Sequence, residues 1–174
     1  QHHLGKLEQA ADCYLQAVRL YRLAGEVEQL ATPLYNWSTI AQARGDPIAA
    51  LGALEEVRAI REMGPYDRSL GNAYLQIGVL SARMADWRKA LEYTLKASEV
   101  FDRLAAPADR ARALRARAMV LRRLGLRQRA LSAANTALDA ARQQSDPQVH
   151  GGVWAELALL AEDPELKLQA HEQA

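Results

Sequence analysis

The sequence predicts an all-α fold, a solenoid of antiparallel helix pairs, and three observations carry that prediction. Ala, Leu, Arg, Glu and Gln dominate the 174 residues, and all are good helix formers. Aromatic residues make up only 6% and runs of Val, Ile and Thr are few, so strands are not expected. Small residues recur at a fixed interval of 40. Gly5, Gly45, Ala85 and Gly125 form one such series, and Ala10, Ala50, Ala90, Ala130 and Ala170 form a second. Ala17, Val57, Ala97 and Ala137 form a third, and Ser38, Gly78, Ala118 and Ala158 a fourth.

Close packing accounts for this register. Two helices approach to about 8 Å only where the side chains at their crossing are small. Ser38, Gly78, Ala118 and Ala158 are expected at that crossing on the first helix of each pair, and the alanines of the second series on the second helix. Gly5, Gly45 and Gly125 are expected in the turn between the two, where a left-handed residue ends a helix. Ala85 replaces glycine there, so a different turn is expected at that point. The apolar spacing of Leu34, Trp37, Ser38 and Ala41 is helical, as is that of Tyr74, Ile77, Gly78 and Ser81. In chain order, helices are expected near 6–23, 28–43, 47–62, 67–83, 87–104, 109–123, 127–143, 149–161 and 164–173. Asp46 and Asp86 read as caps. Pro47, Pro65, Pro107 and Pro147 fall in turns or first helical turns. The chain is read as one repeat domain, 1–174. Residues 1–24 are a partial repeat, 25–64, 65–104 and 105–144 are full ones, and 145–174 form a C-terminal repeat or cap.

Tyr74, Ile77, Gly78, Ser81, Ala90, Thr94 and Ala97 follow one another at the spacing of the tetratricopeptide repeat, and the chain resembles that family. The preceding copy is Leu34, Trp37, Ser38, Ala41, Ala50, Leu54 and Val57. The last is Trp154, Leu157, Ala158, Ala161 and Ala170, and the first is the half copy Ala10, Tyr14 and Ala17. The common unit has about 34 residues, and the 40-residue unit is similar to the long repeats of bacterial signalling and transcription regulators. The resemblance implies a right-handed superhelix of four to five repeats, with the first helix of each pair lining a concave groove that takes a protein or peptide. Arg117 stands where a large apolar residue is expected, and Thr94 and Ala134 where an aromatic is, so loose packing is expected in the fourth repeat.

On that reading the groove is lined by Tyr35, Asn36, Thr39 and Gln42, then by Leu75, Gln76, Val79 and Arg83, then by Arg112, Arg115, Met119 and Arg122. Trp37, Trp87 and Trp154 are expected in packing positions. The net charge is +1, but 101–143 carries 10 basic and 3 acidic residues while 145–174 carries 1 basic and 6 acidic. Eight arginines fall between Arg110 and Arg129. Three readings of that block stand side by side: a solvated face, a basic groove for an acidic peptide or anionic ligand, and a nucleic-acid surface. The near-neutral charge and sparse aromatics disfavour nucleic acid. A structural spacer that joins copies into a homo-oligomer is a further alternative. Glu162 and Asp163 lie 40 residues after Arg122 and Arg123, so the acidic last repeat is expected to neutralise part of the block.

Enzyme chemistry finds no support. Among His2, His3, His150 and His171 none has zincin spacing. No phosphate loop or nucleotide fingerprint is present, so no catalytic, cofactor or metal site is expected. Cys13 is the single cysteine and reads as a small buried hydrophobe in a reducing, cytoplasmic setting. No apolar run is long enough for a membrane span. The chain starts in mid-repeat, so further sequence before it is expected.

Overall fold

The computed structural model describes residues 2–143 and 147–161, with side chains from Leu7 onward. Among the described residues the order is α1 (His2–Ala24), a 3-10 turn (Glu28–Leu30), α2 (Ala31–Ala43), α3 (Pro47–Glu62), α4 (Arg68–Arg83), α5 (Trp87–Arg103), α6 (Pro107–Arg123), α7 (Arg127–Arg142) and α8 (Pro147–Leu160). These match the helices expected from periodicity within a few residues. The helix expected at 164–173 lies outside the described residues.

Asp46 and Asp86 cap α3 and α5 as expected, accepting hydrogen bonds from the amides of Ala49 and Lys89 at 2.9 and 3.1 Å. Asp67 does the same for α4 through Leu70, at 3.0 Å. The helix ends follow one design. The Asp46 amide donates to the Ala41 carbonyl and the Gly45 amide to that of Gln42. Those two bonds make a Schellman motif with Gly45 left-handed at φ 77°. The same pair of bonds closes the turns at Gly25, Ala85, Ala105 and Gly125. Ala85 and Ala105 take φ 61° and 48°, so alanine occupies the glycine geometry instead of a different turn, at a steric cost. Gly5 lies within α1 and makes no turn, contrary to the register.

The small residues sit where close packing needs them. Ala50, Ala90 and Ala130 are fully buried, as are Ala97, Ala118 and Ala137. At Gly78 the helices approach so closely that a Cβ would stand 2.8 Å from Cγ2 of Thr94 and 3.0 Å from its amide nitrogen. Thr94 is itself fully buried, and its hydroxyl donates to the Ala90 carbonyl at 2.8 Å. The polar residue at an aromatic position is therefore satisfied within its own helix. Ala118 and Ala134 close the same crossing in the fourth repeat, so the expected looseness does not reach the core there.

Each helix packs on its chain neighbours, and α4 also reaches α6 while α6 reaches α8. The second helices α3, α5 and α7 stand further from one another than these first helices do. From α4 to α8 the stack therefore draws in on the face of the first helices. Trp37 and Trp154 pack against the core, and Trp87 against Ala82, Ala90 and Val120, in keeping with their expected roles. Cys13 is exposed, which corrects its reading as a buried hydrophobe: it sits on the free side of α1.

Candidate functional site

The first-helix face carries the residues that the resemblance assigns to a groove, and its chemistry changes from repeat to repeat. On α2, Thr39 is exposed and Asn36 and Gln42 are half-buried. The Thr39 hydroxyl donates to the Tyr35 carbonyl at 3.4 Å, and Tyr35 itself packs against two core clusters. On α4, Gln76 is half-buried and Arg83 exposed, while Val79 leans on the cluster around Phe101. Leu75 does not belong to the groove: it is buried against Phe101, Ala113 and Ala116, because α6 covers that side of α4. Gln42 and Arg83 meet across a notch of 220 Å³ with Leu80 and Met84.

On α6, Arg112 and Arg115 are exposed and Met119 packs toward Ala82 and Val120. Arg115 lies over Gly152 of α8, where a Cβ would come within 3.3 Å of its Nε. Arg112 pairs with Asp109 at 3.1 Å, and the same buried carboxylate takes Arg68 of α4 at 2.5 Å. Arg122 donates from Nε to Glu156 of α8 at 2.7 Å, with Glu156 only 8% exposed. The acidic last repeat thus neutralises Arg122, through Glu156. The expected partners Glu162 and Asp163 lie outside the described residues. Arg127 donates to the Leu160 carbonyl at 2.5 Å.

The arginine block does not form one surface. Arg112, Arg115 and Arg122 lie roughly 150° around α6 from Arg110 and Arg117, taking about 100° per residue. The outer set borders a cleft of 520 Å³ between α5 and α7. Its floor is Arg110, Leu114, Arg117 and Leu121. Ser98, Glu99 and Asp102 line one wall, and Gln128, Arg129, Ser132, Ala133 and Thr136 the other. Arg110 pairs with Asp102 at 3.1 Å. Arg117 has its Nε buried without a hydrogen-bond partner. Burial, then the charge of Arg129, push its pKa down against the opposing pull of Glu99. Sequence reasoning did not find this cleft, though the misfit of Arg117 marked its place.

One repeat earlier, the equivalent space is narrowed by two tyrosines and keeps a shallower opening of 430 Å³. Tyr74 and Tyr93 stand 5.7 Å apart there, and the Tyr74 hydroxyl donates to Glu62 at 2.8 Å. Arg58 bridges Glu55 and Glu62 at 2.8 and 2.7 Å, and Lys89 reaches Glu55 at 2.6 Å. Burial raises the pKa of Glu55, but the hydrogen bonds from Lys89 and Arg58 outweigh it and hold the carboxyl below its ordinary value.

At the free end, Leu20 and Leu23 of α1 are 65% and 86% exposed. Among the described residues no cluster of His, Cys, Asp and Glu could hold a metal ion, and no helix is long and apolar enough to cross a membrane.

No protein-family model matches the sequence, and neither does the sequence of any curated protein. Solved structures do match in shape. BtubC (BKLC) from P. vanneervenii superposes with a TM-score of 0.78 at 20% identity, over 96% of this chain and 71% of that one. A Podosopora anserina protein of nearly identical TPR-like repeats gives 0.70 at 17% identity, over 98% and 84%. YrrB, described as a TPR protein with an unusual peptide-binding site, gives 0.62 at 19% identity, over 99% and 78%. These are helical-repeat proteins, and the 40-residue register, the small-residue crossings and the shape agree. The chain has the tetratricopeptide-type solenoid fold.

Proposed function

We propose that the chain is a non-catalytic scaffold that binds a protein or peptide along the face of its first helices. The observation that carries this reading is the line of exposed or half-buried polar groups on α2, α4 and α6. Asn36, Thr39, Gln42, Gln76, Arg83, Arg112 and Arg115 present amides, hydroxyls and guanidinium groups on that face. Tyr35, Val79 and Met119 supply apolar support beneath them, and Arg122 acts through its pair with Glu156. The peptide-binding site described for YrrB is consistent with such a use of the fold.

Charge selects the partner within this reading. Arg83 and Arg115 have no acidic partner among the described residues, so an acidic segment would find two guanidinium forks there. Nucleic acid fits less well. Arg110, Arg112 and Arg122 are each tied to a carboxylate, and the block is split over two faces. A surface that tracks phosphates needs a continuous array of free cations. The 40-residue unit is the ground for placing this scaffold within a larger bacterial regulatory or signalling protein.

Fluorescence anisotropy with a labelled library of glutamate-rich peptides tests the reading. The double change Arg83→Glu, Arg115→Glu should weaken the tightest peptide about 100-fold, since each charge-assisted contact contributes about 1.5–3 kcal/mol. Unchanged affinity in that variant would remove this face as the binding surface.

A further inference from the structure

The two clefts occupy the same place in successive repeats, so they can be compared residue by residue at an interval of 40. Tyr74 becomes Leu114 and Tyr93 becomes Ala133. Arg58 becomes Ser98 and Lys96 becomes Thr136. Every one of these changes removes bulk. In the earlier repeat the two rings, together with Lys96 at 4.9 Å over Tyr93, narrow the space, and a shallower opening of 430 Å³ remains over Lys89 and Glu92. In the later repeat nothing replaces them, and 520 Å³ stays open. Other changes add size or charge: Ala59 becomes Glu99, Leu70 becomes Arg110 and Ser81 becomes Leu121. Ile77, fully buried under the tyrosines, becomes Arg117. A cation has been placed on the floor of the cleft where the repeat elsewhere puts a hydrocarbon.

That guanidinium is not satisfied by its own chain. Its Nε is buried without an acceptor, and no ion pair to Arg117 or Arg129 is present among the described residues. Arg129, which stands where Lys89 pairs with Glu55 in the earlier repeat, instead faces the like charge of Arg117. The acids nearby do not cancel the pair: Asp102 is engaged by Arg110, and Glu99 is exposed on the rim. A buried donor without an acceptor and two repelling cations are both relieved by one oxyanion between them. The remaining lining suits an organic body, with Leu114, Leu121 and Ala133 apolar and the Ser132 hydroxyl able to donate, while the Ser98 and Thr136 hydroxyls donate to the Leu95 and Ser132 carbonyls at 2.8 and 2.9 Å. The volume falls in the range of small-molecule pockets, roughly 300–1,000 Å³.

We propose that the cleft between α5 and α7 binds a small organic oxyanion, a carboxylate or phosphate ester with a short apolar body, with Arg117 and Arg129 as its anchors. The site lies on the side of α6 away from the first-helix face, so it stands or falls independently of the scaffold reading.

Isothermal titration of the whole chain at constant ionic strength tests this, with hexanoate, phenyl phosphate and inorganic phosphate as probes. At least one organic anion should bind saturably with one site per chain. Arg117→Ile restores the residue of the earlier repeat, and Ala133→Tyr restores its plug. Each should weaken that binding by about tenfold or more, with the helical circular dichroism spectrum unchanged. Arg115→Glu, on the opposite face, should leave it unaltered. Hexanoate and phenyl phosphate separate the carboxylate from the phosphate-ester source. Inorganic phosphate binding as tightly as either would overturn the role of the apolar lining. Absence of saturable binding by all three probes, or binding that survives either restoring substitution, would overturn the site.

Discussion

Single residues set the spacing of this stack, and Gly78 shows how. The Cβ that alanine would add lies 2.8 Å from a methyl of Thr94 and 3.0 Å from its backbone nitrogen, and Thr94 is fully buried with no room to retreat. Gly78→Ala should therefore destabilise the fold by about 1–3 kcal/mol through overpacking, even though alanine is the better helix former by about 1 kcal/mol. Urea unfolding measures the balance, and a more stable variant would show that the crossing is not tightly packed. The 40-residue series of Ser38, Gly78, Ala118 and Ala158 was legible as packing because size is written in residue identity. The status of Cys13 was not legible in that way. Its exposure depends on what lies beside α1, which no local pattern records. Leu75 was misplaced for a related reason: its neighbour α6 is supplied by the next repeat.

Helices were legible to within a few residues, because many of their ends have a geometry with a chemical signature. Gly45 and Gly125 marked two Schellman turns, and Asp46 and Asp86 marked two caps. Ala85 marked a turn but not its geometry, and Ala105 gave no sign of one, since both alanines stand left-handed despite their Cβ atoms. The cap register also has a gap. Leu126 stands 40 residues after Asp86, precedes α7 with φ −86° and ψ 58°, makes no side-chain cap bond and is 39% exposed. Leu126→Asp should supply the missing acceptor and stabilise the protein by about 1 kcal/mol. Thermal unfolding would show the rise, and a fall in melting temperature would mean that Leu126 contributes more by packing than a cap restores. The groove was less legible than the helices. Periodicity gives the side of a helix on which a residue lies, but not whether its charge is already spent. Glu156 neutralises Arg122, and Asp109 gathers Arg68 and Arg112, through contacts between repeats that spacing alone does not weigh.

At the scale of the whole molecule, the repeat is a frame on which each copy varies its surface. The first helices carry polar groups and arginines, while the second helices border two clefts, a shallower one beside Tyr74 and Tyr93 and a larger one over Arg117. The net charge of +1 conceals this division: ion pairs between neighbouring repeats absorb part of the arginine block, leaving Arg115, with Arg83 of α4, on one face and Arg117 and Arg129 on the other. The central claim is that a partner chain is recognised on the first-helix face. Backbone amide shift mapping by nuclear magnetic resonance, during titration with the tightest acidic peptide, tests it most directly. Shifts should concentrate at Asn36, Gln42, Gln76, Arg83, Arg112 and Arg115, with Ser98, Arg129, Ser132 and Thr136 silent. Shifts confined to the α5 and α7 side, or spread evenly over both faces, would contradict it.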